Sequence, residues 1–547
     1  MLPVPEVREQ VLRDLQLPEM VGTRLAQAVD GAVHGADAKD RREDEERFRN
    51  IPYVRVKTDA LSCDLRALWE PARLQHCLAD VVDPACVVAW LEENPFPLGL
   101  HYMSVMECGL RVPVFVRCLK TAVLTEEQRK TLTRAIFEHA WFIRNRLSLY
   151  SSLGNHTVCE CVGLVFAGAV FTESEEGRAW LGQGIDLLHQ ELFHQIQADG
   201  GPAEQSLSYH RFVLDLYWLA VDFLESNGLH DCAAWRPRLE SGEMFLSAFM
   251  DAGGSVPAIG DSDDGHAVAP GLRPRRISPP STSLPATPHI FSRSGYTVLR
   301  GAGESMLVLD HGPLGMAPLY NHGHADALSL TLSVQGKQML VDPGTYRYNG
   351  VPLWRRYFKG TRSHNTITVD GLDQAIQETG FIWSAPYHAS LVSCRAGEDN
   401  EVRLVAVHDG YTRLPQPVEH RRSLLWSPDG WLVVKDSFTG HGQHDYELNW
   451  HLHPDISLIE ENGWWSARRG EARLAICLLT GPSLCSICGQ EEPVLGWYAP
   501  AYGVKQPCTV LQSRQTGPPE TVSFVTALVF TEQKPDPDML LQAAEEL

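Results

Sequence analysis

The sequence predicts a multidomain α-then-β protein, and three observations carry that reading. Between residues 125 and 251, five stretches of helical apolar periodicity follow one another, separated by Gly, Asn and Ser, with no alternating run among them. From Ile290 onward the pattern changes to short alternating runs such as YTVLR, SMLVLDHG, RSLLW and GWLVVKD, punctuated by Gly, Pro, Asn and Asp. Between the two lies PGLRPRRISPPSTSLPATP, residues 270–288, whose proline and serine content marks a linker. Helices followed by strands is the order of separate domains, and many short antiparallel strands suit a β-sandwich.

A chain of 547 residues exceeds the ~250–300 at which a single core stops growing, so at least two domains are expected. Residues 1–50 are charge-rich, ending in DAKDRREDEERFRN, and read as exposed helix or a loosely ordered lead-in. No run approaches the ~18 apolar residues of a membrane span. The N-terminal MLPVPEVREQVLRDLQ lacks the apolar core of a secretory signal. On sequence the expected compartment is therefore the cytoplasm, or the periplasm or exterior if the true start precedes this one. Thirteen cysteines, an odd count, read as reduced and mostly buried thiols.

Lys and Arg number 47 against 68 Asp and Glu, a net charge of −21, which argues against a nucleic-acid binder because that needs a basic footprint. An acidic chain that holds a polyanion must gather its cations locally. Arg347, Arg355, Arg356, Lys359 and Arg362 crowd one stretch, and read either as a solvated basic loop or as a carboxylate-binding group.

That stretch belongs to the most informative part of the chain, Tyr320 to Gln374. His322, His324 and Asp326 alternate, which on a strand places them on one face. Leu328 to Val334 continues the alternation, Gln335 to Lys337 is a turn signal, and Met339 to Val341 leads into Asp342. Such a hairpin carries Asp342 back beside His324, with His364 arriving on a later strand, ITVDG. Two imidazoles and a carboxylate converging on a sheet suit a tetrahedral Zn²⁺ with one open position. The alternative is a set of hydrogen-bonded polar residues at strand ends.

Elsewhere, Thr125 and Gln128 form a capping box that opens a helix running to about Leu149. Further helices are expected over about 156–171, 177–198, 206–226 and 235–251. Glu107 and Arg111, four residues apart, are expected to pair on one helix face. The run Ile259 to Gly265, IGDSDDG, reads first as turn chemistry and second as support for a site edge. The late histidines His420, His441, His444, His451 and His453 read as core or surface residues.

These residues resemble the heparinase II/III-like polysaccharide lyases. The family signature looks like H-x-H-x-D-x-L-S, then D-P-G-T-Y, a basic segment, and H-N-T-x-x-x-D-G. Here it is carried by His322, His324, Asp326, Leu328 and Ser329, by Asp342 to Tyr346, and by His364, Asn365, Thr366, Asp370 and Gly371. Gly154, Asn155 and His156 match its G-N-H, while Glu204, Ser206, Tyr209 and His210 match its E-x-S-x-x-Y-H. The motifs span Asp64 to Phe381, and the chain is shortened against the family pattern between His76 and Trp90. The resemblance implies an incomplete (α/α) toroid over 51–269 and an antiparallel β-sandwich over 289–547.

The resemblance also implies β-elimination on a uronic-acid-containing polysaccharide: a glycosaminoglycan, alginate or bacterial exopolysaccharide. That chemistry needs the uronate carboxylate neutralised, a base for the C5 proton and an acid for the departing O4. Asn155 and His156 are the implied donors to the carboxylate, with Asn155 as a helix N-cap the alternative. Tyr209 is the implied proton-transfer residue; as a base it needs a cation such as Arg211 nearby, and its alternative is a buried-edge aromatic. His322 is the implied base on the opposite face of the sugar, the alternative being a further metal ligand or a group behind one. Tyr346 and Tyr348 are reserve bases and, with Glu204, Arg211, Arg355 and Arg362, implied substrate contacts. His324, Asp342 and His364 are the implied zinc ligands, bracing the site. Two other functions fit the same residues: a uronyl C5-epimerase, or a catalytically silent polysaccharide-binding protein. No membrane or nucleic-acid partner is expected, and the sequence sets no oligomeric state, a homodimer being compatible with it.

Overall fold

The computed structural model describes residues 35–547 apart from 57–60, 62, 79–81, 122, 151, 266, 269–287, 398–399 and 532–533. Most of the expected lead-in and nearly all of the expected linker thus lie outside the described residues; Gly35–Phe48 is a helix. Two compact units interleave along the sequence. The first takes the described residues up to Ile196 and those of His210–Glu240 and Gly265–Ser278; the second takes Gln197–Tyr209, Ser241–Asp264 and the described residues from 288 on. No described helix is long and apolar enough to cross a membrane.

The first unit is helical. Its central helix, Asn155–Val170, is apolar nearly all round, and every residue but His156 is buried, as that pattern requires. It packs against Val105–Thr121 and Glu175–Gln195. Glycine allows these approaches: a Cβ on Gly163 would lie 2.8 Å from Gly109 Cα, and one on Gly168 would lie 2.5 Å from Leu181 N. The capping box forms in both directions, Gln128 N donating to Thr125 Oγ1 at 3.2 Å and Thr125 N to Gln128 Oε1 at 3.0 Å. Its helix, Glu126–Arg144, stops short of Leu149, while the other expected helices appear at Glu175–Gln195, Leu207–Ser226 and Arg236–Ala248.

Glu107 and Arg111 do not pair as expected. Glu107 instead accepts two bonds of 2.9 Å from Arg73, and Arg111 donates to the carbonyls of Ala72 and His101. Burial decides the outcome. A wholly buried carboxylate needs a bidentate fork, which Arg73 supplies from a neighbouring turn and an i,i+4 partner does not.

The second unit is built on three antiparallel sheets. A five-stranded sheet runs in chain order from His289–Phe291 to Lys337–Leu340. An eight-stranded sheet has Ser523–Val529 and Trp431–Gly440 at its centre and Ala389–Ala396 at one edge. A four-stranded sheet pairs His444–His451 with Thr509–Gly517 and Ile367–Val369. Leu307, Leu332, Leu404, Trp450, Leu511 and Phe524, drawn from all three, share one buried cluster. Val402–His408 alternates buried and half-buried positions along its length, the signature of a strand with one face inward. The unit also owns helical residues: Phe245, Ala248 and Phe249 pack on Tyr296, Val298, Met306 and Val308. All thirteen cysteines are free thiols, eight of them buried.

Candidate active site

His322 to Asp326, expected as a strand, is an irregular loop; the strand starts at Leu330. A Cβ on Gly323 would sit 1.5 Å from Leu314 O, so only glycine fits between the two histidines. Trp383 Nε1 donates to Gly323 O at 3.0 Å, Tyr387 OH to His324 O at 3.2 Å, and Ala325 N to Lys359 O at 2.9 Å. Lys359 is itself fully buried, and burial pushes its ammonium well below the usual range; Nζ donates to the carbonyls of Asn321, Gly380 and Phe381 at 3.1–3.4 Å.

Both histidines converge on Asp261, from the run read first as a simple turn. Its Oδ2 lies 3.1 Å from His322 Nδ1 and 2.7 Å from Arg355 Nη2. Its Oδ1 lies 3.1 Å from His324 Nε2, 3.1 Å from Thr345 Oγ1 and 2.5 Å from Arg355 Nη1. The carboxylate is wholly buried. Burial favours its neutral form, but the Arg355 charge and the histidine donors win and hold Asp261 well below the usual carboxylate range. An ionised carboxylate only accepts, so each imidazole must present N–H to it. The basic lone pair of neutral His322 is then on Nε2, and that of His324 on Nδ1.

Tyr209 lies flat on His322, with ring centres 3.9 Å apart and planes 25° from parallel. Its hydroxyl is 3.1 Å from Tyr348 OH, which donates to Asp263 Oδ2 at 2.6 Å. With Tyr348 committed to the carboxylate, the bond between the phenols runs from Tyr209 to Tyr348. Asp261 and Asp263 thus flank one turn and hold His322 and Tyr348 respectively. Gly260, at φ +66, makes that turn; a Cβ there would lie 2.2 Å from Gln205 O. Beside Tyr348 opens a cleft of about 310 Å³, bordered by Val351, Arg355, Arg356, Glu378 and Thr379.

Behind this pair, ligand atoms of His324, Asp326 and His364 all lie within 4.8 Å of one another. Asp342, expected among them, takes another place: its Oδ2 is 3.0 Å from His364 Nδ1 and its Oδ1 accepts from Gly344 N at 3.2 Å. The carboxylates therefore fix both tautomers, and the opposite nitrogens, His324 Nδ1 and His364 Nε2, are buried without a hydrogen-bond partner. Two orphaned imidazole lone pairs beside a carboxylate, each ring held from behind by another carboxylate, fit a divalent metal such as Zn²⁺.

The other expected site residues divide. Arg355 is spent on Asp261 and, through Nε, on Gly380 O at 2.7 Å, so all three of its nitrogens are committed; Arg362 pairs through Nε with Glu447 at 2.7 Å. A chain that buries arginine must pair it internally, which a count of charges does not reveal. Tyr346 packs among Trp354 and Phe358, and Glu204 is buried. Asn155, His156 and Arg211 belong to the first unit. Gly154 at φ +126 is the N-cap, so Asn155 is the first helical residue and is buried, not a cap. The preceding loop is tied down by Glu160, which accepts from Ser148 N and Ser148 Oγ at 2.7 Å each. Asp261 and Asp263 read only second as support for a site edge, Asp326 stands in the alternating motif but not among the implied ligands, and Phe381, whose ring neighbours His322 and Tyr348, has no role from the sequence. Three aspartates between two glycines, Asp261, Asp263 and Asp264, were the available signal for the first two.

The chain belongs to the heparinase II/III-like family, whose C-terminal profile matches residues 284–531 and whose N-terminal profile matches residues 90–270. It is similar to the heparin-sulfate lyase of Bacteroides stercoris, 24% identical over 383 residues that cover 65% of this chain and 54% of that protein. The heparin-sulfate lyase of Pedobacter heparinus is 23% identical over 334 residues, 57% of this chain and 48% of that one. The chain thus spans about half the length of these relatives. Among solved structures, heparinase III superposes with a TM-score of 0.69 at 16% identity, over 96% of this chain and 89% of that one. Heparan sulfate lyase HepC from Pedobacter heparinus gives 0.60 at 17% identity, over 97% and 88%. The likeness bears out the expected fold class, an (α/α) toroid-type helical unit followed by an antiparallel β-sandwich.

Proposed function

We propose that the chain is a polysaccharide lyase that cleaves a uronic-acid-containing polysaccharide by β-elimination, with a glycosaminoglycan of the heparan-sulfate kind as substrate. The Tyr209–His322 pair carries this reading: an acid and a base with stacked rings, His322 held by the buried Asp261 and Tyr209 bonded to Tyr348, which is itself held by Asp263. His322 Nε2 takes the C5 proton, the C4–O4 bond breaks as C4=C5 forms, and Tyr209 gives its hydroxyl proton to O4. Afterwards His322 loses its proton to solvent and Tyr209 regains one from solvent, which restores both groups. Asn155 and His156 keep the part the resemblance implies, donors to the uronate carboxylate. A metal held by His324, His364 and a neighbouring carboxylate would supply rigidity to the loop that presents His322. The heparin-sulfate lyase names of the relatives support a glycosaminoglycan over alginate or a bacterial exopolysaccharide.

The test is near-ultraviolet absorbance during incubation with heparan sulfate, hyaluronan, chondroitin, alginate and polyglucuronate, beside Tyr209→Phe. A rise on heparan sulfate that the variant lacks is expected. Deuterium uptake at C5 without any rise would replace the lyase with an epimerase, and neither signal would leave a silent binder.

A further inference from the structure

In the first unit, three side chains converge that the proposed elimination does not use. Cys77 Sγ lies 2.6 Å from Cys86 Sγ, and His76 Nε2 lies 3.4 Å and 3.8 Å from the two sulfurs. Their donor atoms all fall within 4.8 Å of one another, with Cys77 buried, Cys86 half-buried and His76 exposed.

The backbone prepares this meeting. Leu74, at φ 61, turns the chain into the short 3-10 segment Gln75–Leu78, which carries His76 and Cys77. The carbonyl of Cys77 accepts from Asp83 N at 2.8 Å, closing the loop. The Asp83 carboxylate accepts from Ala85 N at 3.0 Å and Cys86 N at 3.2 Å, capping the helix Pro84–Glu93 and fixing Cys86 in its first turn. One residue both closes the loop and caps the helix, so the two thiols stand on hydrogen-bonded backbone, already facing each other.

We infer that His76, Cys77 and Cys86 form a transition-metal site, separate from the cluster at His324 and His364, that takes a soft divalent ion of the zinc class. Two thiolates and an imidazole are the donor set that selects such an ion over Mg²⁺ or Ca²⁺. Tetrahedral zinc, with Zn–S of ~2.3 Å and Zn–N of ~2.0–2.1 Å, sets S and N about 3.6 Å apart. The two His76–sulfur distances, 3.4 Å and 3.8 Å, bracket that value. The sulfurs must part by about 1 Å from their 2.6 Å contact, which a rotation of half-buried Cys86 supplies. Two S–H bonds break, two metal–sulfur bonds form and two protons pass to solvent. Three protein donors leave a fourth position for water, and exposed His76 sets it at the surface. The ion clips the turn to the helix.

Cobalt substitution separates this site from the other, which has no sulfur donor. Metal-free full-length protein titrated with Co²⁺ is expected to develop a thiolate-to-cobalt charge-transfer band in the near ultraviolet, saturating at one equivalent. His364→Ala should keep the band, and Cys86→Ser should lose it. His76→Ala, an exposed change that leaves the fold alone, should weaken cobalt binding at least tenfold with an unchanged far-ultraviolet spectrum. No band in the wild type, or a band that Cys86→Ser retains, would overturn the site. So would a Cys77–Cys86 disulfide in the native protein whose reduced form binds no cobalt.

Discussion

The imidazole of His322 lies against the phenol of Tyr209 at a ring-centre separation of 3.9 Å. No pyranose ring enters such a gap, so in the proposed elimination acid and base would work from the same side of the sugar rather than from opposite faces. A shared side favours uronates whose C5–H and O4 lie on one face, which glucuronate offers and its C5 epimer iduronate does not. Glucuronate-rich heparan sulfate should therefore be cleaved at least tenfold faster than iduronate-rich material, read as initial rates of absorbance. Faster cleavage of the iduronate polymer would break the shared-side geometry.

Tyr209→Phe removes the proposed proton donor and should lower kcat by ~10²–10⁴ with an unchanged melting temperature. Tyr348→Phe leaves that donor in place but removes its link to Asp263, so a smaller loss is expected. Equal losses in the two variants would mean that Tyr348, not Tyr209, meets the substrate.

Asp261→Ala strands the buried Arg355 charge and releases both histidines. Breaking a buried pair in this way costs about 3–5 kcal/mol, read as a lowered denaturant midpoint, together with loss of activity. The double change with Arg355→Met should recover part of the stability and none of the activity.

Burial pushes the Glu160 carboxyl up to about 7, against the partial opposition of the Ser148 donors. A carboxyl raised in the folded state binds more protons there than in the unfolded chain. Its contribution to stability is therefore full below the ordinary value of 4.5 and is lost as pH rises towards 7. The loss is at most roughly 3 kcal/mol. Glu160→Gln should flatten that slope in pH-dependent denaturation, and an unaltered slope would refute the assignment.

His364→Ala should lower zinc content by elemental analysis. Asp326→Ala should do the same by deleting a donor. Asp342→Ala, which only frees His364 to turn, should weaken binding by ~10–100-fold without abolishing it. The reverse order would place Asp342 directly on the ion.

Much of the fold was legible because it rests on local signals. The capping box at Thr125 and Gln128, the helical periodicity over about 156–171 and the short run YTVLR from Tyr296 to Arg300 each declare an element within a few residues. The Gln335–Gly336 turn, with both φ angles positive, does the same for a hairpin. The site was legible only as a set of residue types. Alternation at His322, His324 and Asp326 suggested a strand, but the Gly323–Leu314 contact that bends the segment into a loop is tertiary. Asp261 was hidden for the same reason: nothing in IGDSDDG announces four donors arriving from residues 322 to 355. The basic cluster divides, Arg355 buried against Asp261 and Arg356 exposed beside the cleft, and charge counting does not distinguish the two.

The interleaving of the two units has a consequence for how the protein is made. Tyr209 and Asp261 precede the sandwich strands, yet they are members of the sandwich unit. A ribosome delivers them before His322, His324 and Arg355 exist, so Asp261 has no counter-charge until about 94 further residues have followed, the separation recorded in its bond to Arg355. Until then it must stay hydrated. Cutting the gene at the proline-rich linker would separate the histidines from the groups that aim them. Co-expressed halves that regain activity only on mixing would make that dependence visible.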